Sequence, residues 1–328
     1  MGVTGMTETY RPLTWPLFLE LIRLPAKAAS LLPFLFGIFY AYFAFGQFNW
    51  INTLVYFVGQ MSIALFVTGF NNVQDFYKAK DIKYRDTQNI IGREHLSPRR
   101  TLALMLFFLV LACTMGVILV WRTNLSLLFI GGAAVFVAIF YTAGPVPLSR
   151  MPTGEFLAGM CEGFGTILIA VFVNLAPQPV MLQLSGSHFS FNGNLAVILQ
   201  LLLVALPIVI LDGTVMFADN ICDLDQDKKN QRYTLPYYLS KRTALKIYPW
   251  CPVAAFAFLI VGVVLGFLPP LMLAVLLLIP IVWRNTKTFL AKQSKAETFI
   301  TAIQTLLTVA FAQVLVLVVI DLMRWLAQ

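Results

Sequence analysis

Residues 195–218 read LAVILQLLLVALPIVILDGTVMFA, and residues 219–227, which come directly after, read DNICDLDQD. The first stretch is apolar and longer than the about 20 helical residues that cross a bilayer core of about 30 Å. The second carries Asp219, Asp223 and Asp227 at a spacing of four, so they share one face if the helix continues. This sequence therefore predicts a membrane-spanning helix that ends in a row of acids at a membrane surface.

The composition of the whole chain agrees with a membrane protein. Of its 328 residues 59% are apolar and only 12% are charged, and the mean hydropathy is +0.81. These values exclude a water-soluble globular enzyme and a disordered chain. The net charge of +8 does not indicate a nucleic-acid partner, because the basic residues lie in short loops between apolar runs. The four cysteines form no CxxC pair and there are only two histidines, which excludes a zinc site of the Cys or His type.

Apolar stretches of bilayer length recur along the chain. They are residues 22–45, 51–74, 102–121, 125–143, 156–176, 195–218, 244–267, 269–283 and 297–320. The pattern predicts an all-α membrane protein with nine transmembrane helices in a single bundle. We expect a cytoplasmic segment, residues 1–21, followed by one transmembrane domain, residues 22–328. Its two longest cytoplasmic loops, 75–101 and 219–243, hold most of the acids.

The loop charges predict the orientation of the bundle. If the N-terminus is cytoplasmic and the chain crosses nine times, all 23 Lys and Arg residues except Arg122 and Arg324 lie in cytoplasmic segments. Such an excess of basic residues marks the cytoplasmic side of membrane proteins. We therefore expect the N-terminus inside, the C-terminus outside, and the chemistry at the cytoplasmic ends of the helices.

A second acidic motif follows the second apolar stretch. Asn71 and Asp75 lie one helical turn apart, and Asp81 joins them only if the helix unwinds after Asp75. Carboxylates that meet near a membrane surface stay ionised when a cation lies among them. Oxygen ligands favour Mg²⁺ or Ca²⁺, and Mg²⁺ completes its shell with water and phosphate oxygens. The motifs thus predict a Mg²⁺ site for a diphosphate, with the ligands Asn71, Asp75, Asp81, Asp219, Asp223 and Asp227.

These motifs resemble those of the UbiA-type intramembrane aromatic prenyltransferases, which are nine-helix enzymes with one NxxxD-type and one DxxxD-type motif. Residues 71–81 and 219–227 match the two motifs in spacing. The most similar branch is the one that prenylates 1,4-dihydroxy-2-naphthoate in menaquinone biosynthesis, because residues 141–145 read YTAGP and a Thr-Leu pair follows the second motif. There are two departures: Ala79 stands for the usual Gly, and Asp219 stands for Asn, as in the hydroxybenzoate branch.

The resemblance implies a transferase. A polyprenyl group would pass from its diphosphate to 1,4-dihydroxy-2-naphthoate, with loss of CO₂ and diphosphate, to give demethylmenaquinone. The cofactor would be Mg²⁺ and the setting a bacterial plasma membrane, with the active site on the cytoplasmic side. The chemistry agrees, since an allylic diphosphate ionises where cations stabilise the leaving group, and a lipid-embedded cavity keeps water from the allyl cation.

Further side chains are predicted to act on the substrates. The resemblance assigns Arg23 to the diphosphate and Arg93 to the basic loop position that precedes a Ser-Pro helix start, although Arg23 also fits a topology charge and Arg93 a solvated loop charge. Arg150, a candidate for substrate binding, corresponds to the family lysine that follows the Tyr, with a different spacing. The ring of Tyr141 is a candidate to stabilise the allyl cation. The expected catalytic set is Asp75, Asp223, Asp227, Arg23, Arg93 and Tyr141.

Three more polar residues are candidates for substrate binding, namely Asn72, Asn220 and Asp212. Both asparagines adjoin a motif and are expected to orient its acids or to bind the acceptor; each also fits a helix cap. Asp212 lies seven residues before Asp219, hence about 10 Å deeper on the same helix face. We expect it to contact the acceptor hydroxyls, and the alternative is a packing acid paired with a neighbouring helix.

Two other functions fit parts of the pattern. One is a UbiA-type enzyme with a different acceptor, such as 4-hydroxybenzoate, homogentisate or haem. The other is a cation-coupled transporter, which would place its acids near the middle of the membrane. The acids of this chain cluster at helix ends instead, which favours the transferase.

Overall fold

Fifteen α-helices follow one another along residues 10–24, 27–144 and 147–327, the part of the chain that this computed structural model describes. The helices of the first half are α1 (Trp15–Leu21), α2 (Lys27–Phe45), α3 (Trp50–Lys78), α4 (Ile82–Thr87), α5 (Ile90–Arg93), α6 (Pro98–Arg122), α7 (Ser126–Phe140), α8 (Gly154–Ala158) and α9 (Thr166–Asn174). Those of the second half are α10 (Leu195–Lys229), α11 (Leu235–Leu239), α12 (Lys241–Ile247), α13 (Trp250–Val264), α14 (Ile279–Ala291) and α15 (Ile300–Leu326).

Three helical segments of the described part of the chain are not α-helical. A π-helical segment, Gly159–Gly165, joins α8 to α9, and a 3₁₀ segment, Pro270–Leu278, leads into α14. A short 3₁₀ turn, Leu148–Arg150, precedes α8. Residues 1–9 of the expected cytoplasmic segment and Pro145 of the YTAGP stretch lie outside the described residues.

Within the described residues, eight helical stretches are long and apolar enough to cross a membrane. They are Lys27–Phe45, Trp50–Lys78, Pro98–Arg122, Gly154–Asn174, Leu195–Lys229, Lys241–Val264, Pro270–Ala291 and Ile300–Leu326. The remaining predicted segment, 125–143, forms α7, an apolar helix of only 15 residues. This chain is therefore an integral membrane protein, and the ninth span stays a prediction because α7 is shorter than the about 20 residues that a full crossing takes.

The mostly helical fold is confirmed, with one departure from the all-α prediction. The connection between α9 and α10 forms an antiparallel hairpin of β1 (Val180–Ser185) and β2 (His188–Gly193), with Val180 opposite Gly193. Gly186 lies in the tight turn at a φ of +58°, a value that favours glycine. β2 and the second half of β1 alternate apolar and polar side chains, which is the periodicity of a strand, and a membrane-length window does not detect so short a pattern.

Both acidic motifs lie on helices where loops 75–101 and 219–243 were expected to begin. Helix α3 continues through its motif to Lys78, and α10 continues to Lys229. The last turns carry Lys78 in α3 and Lys228 and Lys229 in α10, and basic side chains at a helix C-terminus interact favourably with the helix dipole. The motif carboxylates are thus held on helical backbone, except for Asp81, which lies between α3 and α4.

The buried core joins two groups of helices. Helices α3, α6 and α7 share one set of apolar contacts, and α10, α13 and α15 share another. Helices α2 and α9 contribute to both sets and connect them. They approach closely because Gly37 has no side chain; a Cβ there would lie 2.6 Å from the Cβ of Ala170.

The two basic residues that the charge pattern places outside lie at the end of the bundle away from the motifs. Arg122 donates from Nε to Asn52 Oδ1 at 2.6 Å, near the start of α3, whose other end carries Asp75. Arg324 donates to the carbonyl of Phe43 at 2.7 Å, near the end of α2. This placement agrees with the orientation inferred from the loops, which stays a prediction.

Candidate functional site

A small cavity lies between the C-terminal ends of α3 and α10. Asp75 of α3 lines it on one side, and Asp223 and Asp227 of α10 line it on the other. Its volume is about 40 Å³, which is room for a small ion or one to two waters. The cavity is also lined by three cationic residues: Lys78, Arg150 and Arg232. The fold therefore brings the two acidic motifs together and surrounds them with positive charge.

Asp227 and Arg232 form the most deeply buried charge pair of this cavity. Arg232 Nε lies 3.3 Å from Asp227 Oδ1, but its N–H is not directed at that oxygen. Burial works against the Arg232 charge, yet the carboxylates around it, above all Asp227 and Asp75, raise the pKa of the guanidinium above its usual value. Asp227 Oδ2 is buried and accepts no hydrogen bond from any described residue. Because a buried carboxylate oxygen normally has a partner, a cation or a hydrogen-bond donor bound at Asp227 Oδ2 would be stabilised.

Lys295, in the loop between α14 and α15, contacts the second motif. Its ammonium donates to Asp219 Oδ1 and, at 2.8 Å, to Asp223 Oδ2. Burial disfavours the charge of this lysine, but Asp219 and Asp223 raise its pKa above the usual value. A cation thus already bridges two carboxylates of the motif.

Asp81 lies where the chain leaves α3. The helix ends at Lys78, and Ala79 adopts an extended conformation, so the unwinding that would bring Asp81 to the motif does occur. Asp81 caps α4 by accepting from the backbone N–H of Lys83 at 2.9 Å, and it accepts from Gln226 Nε2 of α10 at 3.2 Å. The hydrogen bond from Gln226 and those from the backbone lower the pKa of the Asp81 carboxyl. Asp81 therefore joins α4 to the second motif and stays ionised.

The donor groups at this site fit Mg²⁺. They are carboxylate oxygens, and Asp75, Asp223 and Asp227 come from two facing helices. No group of three or more His, Cys, Asp or Glu arranged to hold a metal occurs in the described ranges. Mg²⁺ commonly takes only one or two protein carboxylates and fills its shell with water and phosphate oxygens. The ammonium of Lys295 supplies a positive charge between Asp219 and Asp223, where such a cation would bind.

The predicted arginines differ in their placement. Arg150 lines the cavity, where burial and then neighbouring Arg232 lower its pKa. Arg23 is exposed, at a φ of +49°, and is close enough to Asp75 to act on it electrostatically. Arg93 is not brought to the cavity.

Arg93 instead forms ion pairs with two glutamates. Its guanidinium lies 2.6 Å from Glu20 and 3.0 Å from Glu94, which ties α1 to the end of α5. Arg11 pairs with Glu94 from the other side. Arg93 ends α5 beside Glu94 and against Glu20 of α1, and a sequence position in a basic loop does not reveal that α1 packs there.

Asn72 and Asn220 are both buried and hydrogen-bonded. Asn72 donates from Nδ2 to the carbonyl of Leu21 at 2.8 Å and so anchors α1 to α3. Asn220 donates from Nδ2 to Glu155 Oε1 at 2.7 Å. These contacts support the expected orienting role more directly than contact with the acceptor.

Asn71, Tyr141 and Asp212 do not line the cavity. Asn71 is half-buried on α3, one turn before Asp75. Tyr141 donates to the carbonyl of Gly154 at 3.4 Å and lies close enough to the Glu155 carboxylate to feel its charge. Asp212 is buried within α10.

Glu155, Arg232 and Lys295 were not singled out by sequence reasoning. Glu155 begins α8, accepts from Asn220 and from the backbone N–H of Leu235 at 3.3 Å, and has a buried Oε2 without a partner among the described residues. Its position shortly after a Pro-rich turn carries no periodic signal. Arg232 and Lys295 are single charges in basic loops, and their roles depend on contacts distant in the chain.

The sequence of this chain matches a family profile over most of its length. The profile of the UbiA prenyltransferase family covers residues 30–307. The chain belongs to the UbiA prenyltransferase family. The expected family is thereby confirmed, and the transporter alternative has no support.

One curated relative of this family member comes from Bacillus subtilis (strain 168), where it is named 1,4-dihydroxy-2-naphthoate octaprenyltransferase. It is 24% identical over 277 residues, which is 84% of this chain and 83% of the relative. This similarity agrees with the menaquinone branch expected from the motifs.

Solved structures show the same fold. A UbiA homologue from Aeropyrum pernix K1 has a TM-score of 0.65 at 16% identity, covering 88% of this chain and 97% of that one. A UbiA homologue from Archaeoglobus fulgidus, solved with DMAPP and Mg²⁺, has a TM-score of 0.57 at 14% identity, covering 90% and 98%. The described helices therefore have the architecture of UbiA homologues.

Proposed function

We propose that this UbiA-family protein transfers a polyprenyl group from polyprenyl diphosphate to 1,4-dihydroxy-2-naphthoate, with loss of CO₂ and diphosphate, to give demethylmenaquinol, the reduced form of demethylmenaquinone. The observation that carries this proposal is the cavity in which Asp75 faces Asp223 and Asp227 among three cationic side chains. The B. subtilis relative supports the choice of acceptor by its name. A different aromatic acceptor, such as 4-hydroxybenzoate, is the alternative, because Asp219 departs from the naphthoate branch.

The cavity residues bind the diphosphate of the donor. Lys78, Arg150 and Arg232 neutralise phosphate oxygens, and Arg23 adds positive charge from the rim. Asp75, Asp223 and Asp227 would hold Mg²⁺, with Asn71, Asp81 and Asp219 as further candidates. When bound, the metal would neutralise charge that develops on the leaving diphosphate.

The bundle interior protects the carbocation that remains once the diphosphate has left. Breaking the allylic C–O bond creates this cation, which water would quench, and the apolar spans around the site exclude water. The ring of Tyr141 stabilises positive charge from below the cavity. A carbon of the acceptor ring attacks the cation, a C–C bond forms, and loss of CO₂ restores the aromatic ring.

The proposal also assigns a compartment. The motif ends of α3 and α10 face the cytoplasm of a bacterial cell, and the protein lies in its plasma membrane with nine spans, α7 included. The donor chain stays in the hydrophobic part of the bilayer, where each buried CH₂ contributes about 0.8 kcal/mol.

The test uses full-length protein in proteoliposomes with Mg²⁺, a polyprenyl diphosphate and 1,4-dihydroxy-2-naphthoate. We expect diphosphate and CO₂ in equal amounts together with demethylmenaquinol, which is detected as demethylmenaquinone after oxidation in air, and no product after EDTA. Parallel reactions contain 4-hydroxybenzoate or homogentisate. Prenylation of one of these acceptors but not of the naphthoate would contradict the proposed substrate, and no prenyl product with any acceptor would contradict the reaction.

A further inference from the structure

Polar side chains from four elements of the bundle lie together beneath the cavity. They are Lys27 and Ser30 of α2, Thr68 of α3, Glu162 of the π-helical segment and Asp212 of α10. Lys27 donates to Thr68 Oγ1 at 2.5 Å, and Ser30 donates to Glu162 Oε1. Glu162 also acts electrostatically on Lys27 and Asp212. We call these five residues the inner polar layer.

The inner polar layer lies deeper in the bundle than both acidic motifs. Thr68 precedes Asp75 by seven residues on α3, and Asp212 precedes Asp219 by seven residues on α10. At 1.5 Å per residue, each separation is about 10 Å along the helix. Asp219 does not line the cavity, however; Asp212 lies eleven residues, or about 16 Å, before the lining residue Asp223, so both helices place polar groups beneath the cavity but at different depths.

The inner polar layer contains a buried carboxylate that accepts no hydrogen bond from the described residues. Asp212 is only 8% exposed, yet none of the residues in the described ranges donates a hydrogen bond to its carboxylate. Lys27 and Glu162 are only partly buried, and Lys27 also donates to the carbonyl of Ala64 at 2.8 Å. Ionisable groups at membrane depth are costly and are usually retained for function.

The backbone around Glu162 is also specialised. Residues Gly159–Gly165 form a π-helical segment, a geometry that is rare and is frequent at functional sites. Gly159 and Gly163 pack directly against Val209 of α10, where a Cβ on Gly159 would lie 2.4 Å from the Val209 carbonyl oxygen. This packing holds Glu162 next to α10, so that its carboxylate acts on Asp212.

We propose that the inner polar layer binds the polar end of the acceptor, an aromatic acid with ring hydroxyls. Lys27 is the cation of the layer and pairs with the acceptor carboxylate. Asp212 and Glu162 accept hydrogen bonds from the hydroxyls, which relieves the repulsion between two carboxylates in a low-dielectric setting. The aromatic ring then extends from the layer towards the cavity where the allylic carbon is released. This inference rests on the proposed function and names the residues that select its acceptor.

The experiment measures equilibrium binding to purified full-length protein without metal or donor, so it does not depend on turnover. The probes are 1,4-dihydroxy-2-naphthoate and 1,4-dihydroxynaphthalene, which lacks the carboxylate. We expect Lys27→Met to weaken binding of the naphthoate about tenfold or more and to leave the diol within about twofold, since a charge-assisted hydrogen bond is lost only for the acid. Asp212→Asn should weaken both probes.

The matched control is Asp321→Asn, which removes another buried acid without described hydrogen-bond partners, near the far end of α15. It should leave both affinities unchanged. The inference is wrong if Lys27→Met weakens both probes equally or neither, or if Asp321→Asn weakens them as much as Asp212→Asn does. Binding of 4-hydroxybenzoate by the wild type is measured in parallel. If that acid binds with the same dependence on Lys27 while the naphthoate forms no product, the proposed acceptor fails and the inner polar layer stands.

Discussion

The ammonium of Lys295 lies 2.8 Å from Asp223 Oδ2, and this contact joins the loop between α14 and α15 to the second acidic motif. The two residues are 72 positions apart in the chain. Because the same ammonium also contacts Asp219, Lys295 holds a positive charge where a divalent cation is expected to bind. The lysine and the metal should therefore compete for these carboxylates.

Replacing Lys295 should strengthen metal binding in the absence of substrate. In Lys295→Met the two carboxylates lose a competing cation, and we expect Mn²⁺, as a spectroscopic substitute for Mg²⁺, to bind about threefold to tenfold more tightly by electron paramagnetic resonance. Lys292→Met is the control, because Lys292 pairs with exposed Glu297 in the same loop. Unchanged or weaker Mn²⁺ affinity in Lys295→Met would show that the lysine does not compete with the metal.

Neutralising either side of the cavity should abolish transfer while the fold is kept. We expect Asp75→Asn and Asp223→Asn each to lower kcat/KM for prenyl transfer by about 10²-fold or more, since each removes charge that balances the metal and diphosphate. Asp225→Asn is the control for Asp223→Asn, because Asp225 is exposed on the same helix two residues away. Activity within a fewfold of wild type in Asp75→Asn would exclude that carboxylate from the reaction.

Glu155 and Asn220 should be energetically coupled. Asn220 Nδ2 donates to Glu155 Oε1 at 2.7 Å in a buried setting, so losing either partner leaves the other unsatisfied. We expect Glu155→Ala and Asn220→Ala each to lower the free energy of unfolding by about 1–3 kcal/mol, and the double variant to cost less than the sum. Additive losses in detergent unfolding would mean that the two side chains stabilise the fold independently.

Close packing of the π-helical segment on α10 should make Gly159 intolerant of a side chain. A Cβ at this position would lie 2.4 Å from the Val209 carbonyl oxygen, so Gly159→Ala should destabilise by about 1–3 kcal/mol and lower the unfolding temperature. Gly116→Ala in α6 meets no atom within 4 Å and should be neutral or stabilising. Equal unfolding temperatures for the two variants would contradict this packing.

The orientation can be checked with an impermeant maleimide on intact cells, using a variant without the four natural cysteines. Ser187→Cys, exposed at the hairpin turn, should be labelled from outside, and Lys83→Cys, exposed on α4, should be labelled only after the cells are opened. The reverse pattern would invert the bundle and place the acidic motifs outside.

Several features of the fold could be predicted from local sequence because they depend on local physics. A long apolar run excludes alternatives to a spanning helix, and a spacing of four places Asp223 and Asp227 on one face of α10. The hairpin at Val180–Gly193 was missed because its strands are short and lie between strong helix signals.

The candidate site was predicted in part, since motif residues are recognisable by their spacing whereas their partners are not. Arg93 occupies a basic loop like its neighbours, and only the packing of α1 near the end of α5 decides that it pairs with Glu20. Glu155 and Lys295 are isolated charges in sequence, and folding brings each of them to Asn220 or Asp223.

By itself the sequence determined that the chain enters a membrane, which helix ends carry the acids, and which family it resembles, because hydropathy and helical periodicity act over a few turns. Only the tertiary structure decided which charges meet: Asp75 with Asp223 across one cavity, Lys295 on the second motif, and Lys27 near Glu162 beneath them. Such pairings depend on how helices distant in the chain pack, and electrostatic interactions follow distance in space and burial, which no stretch of sequence contains.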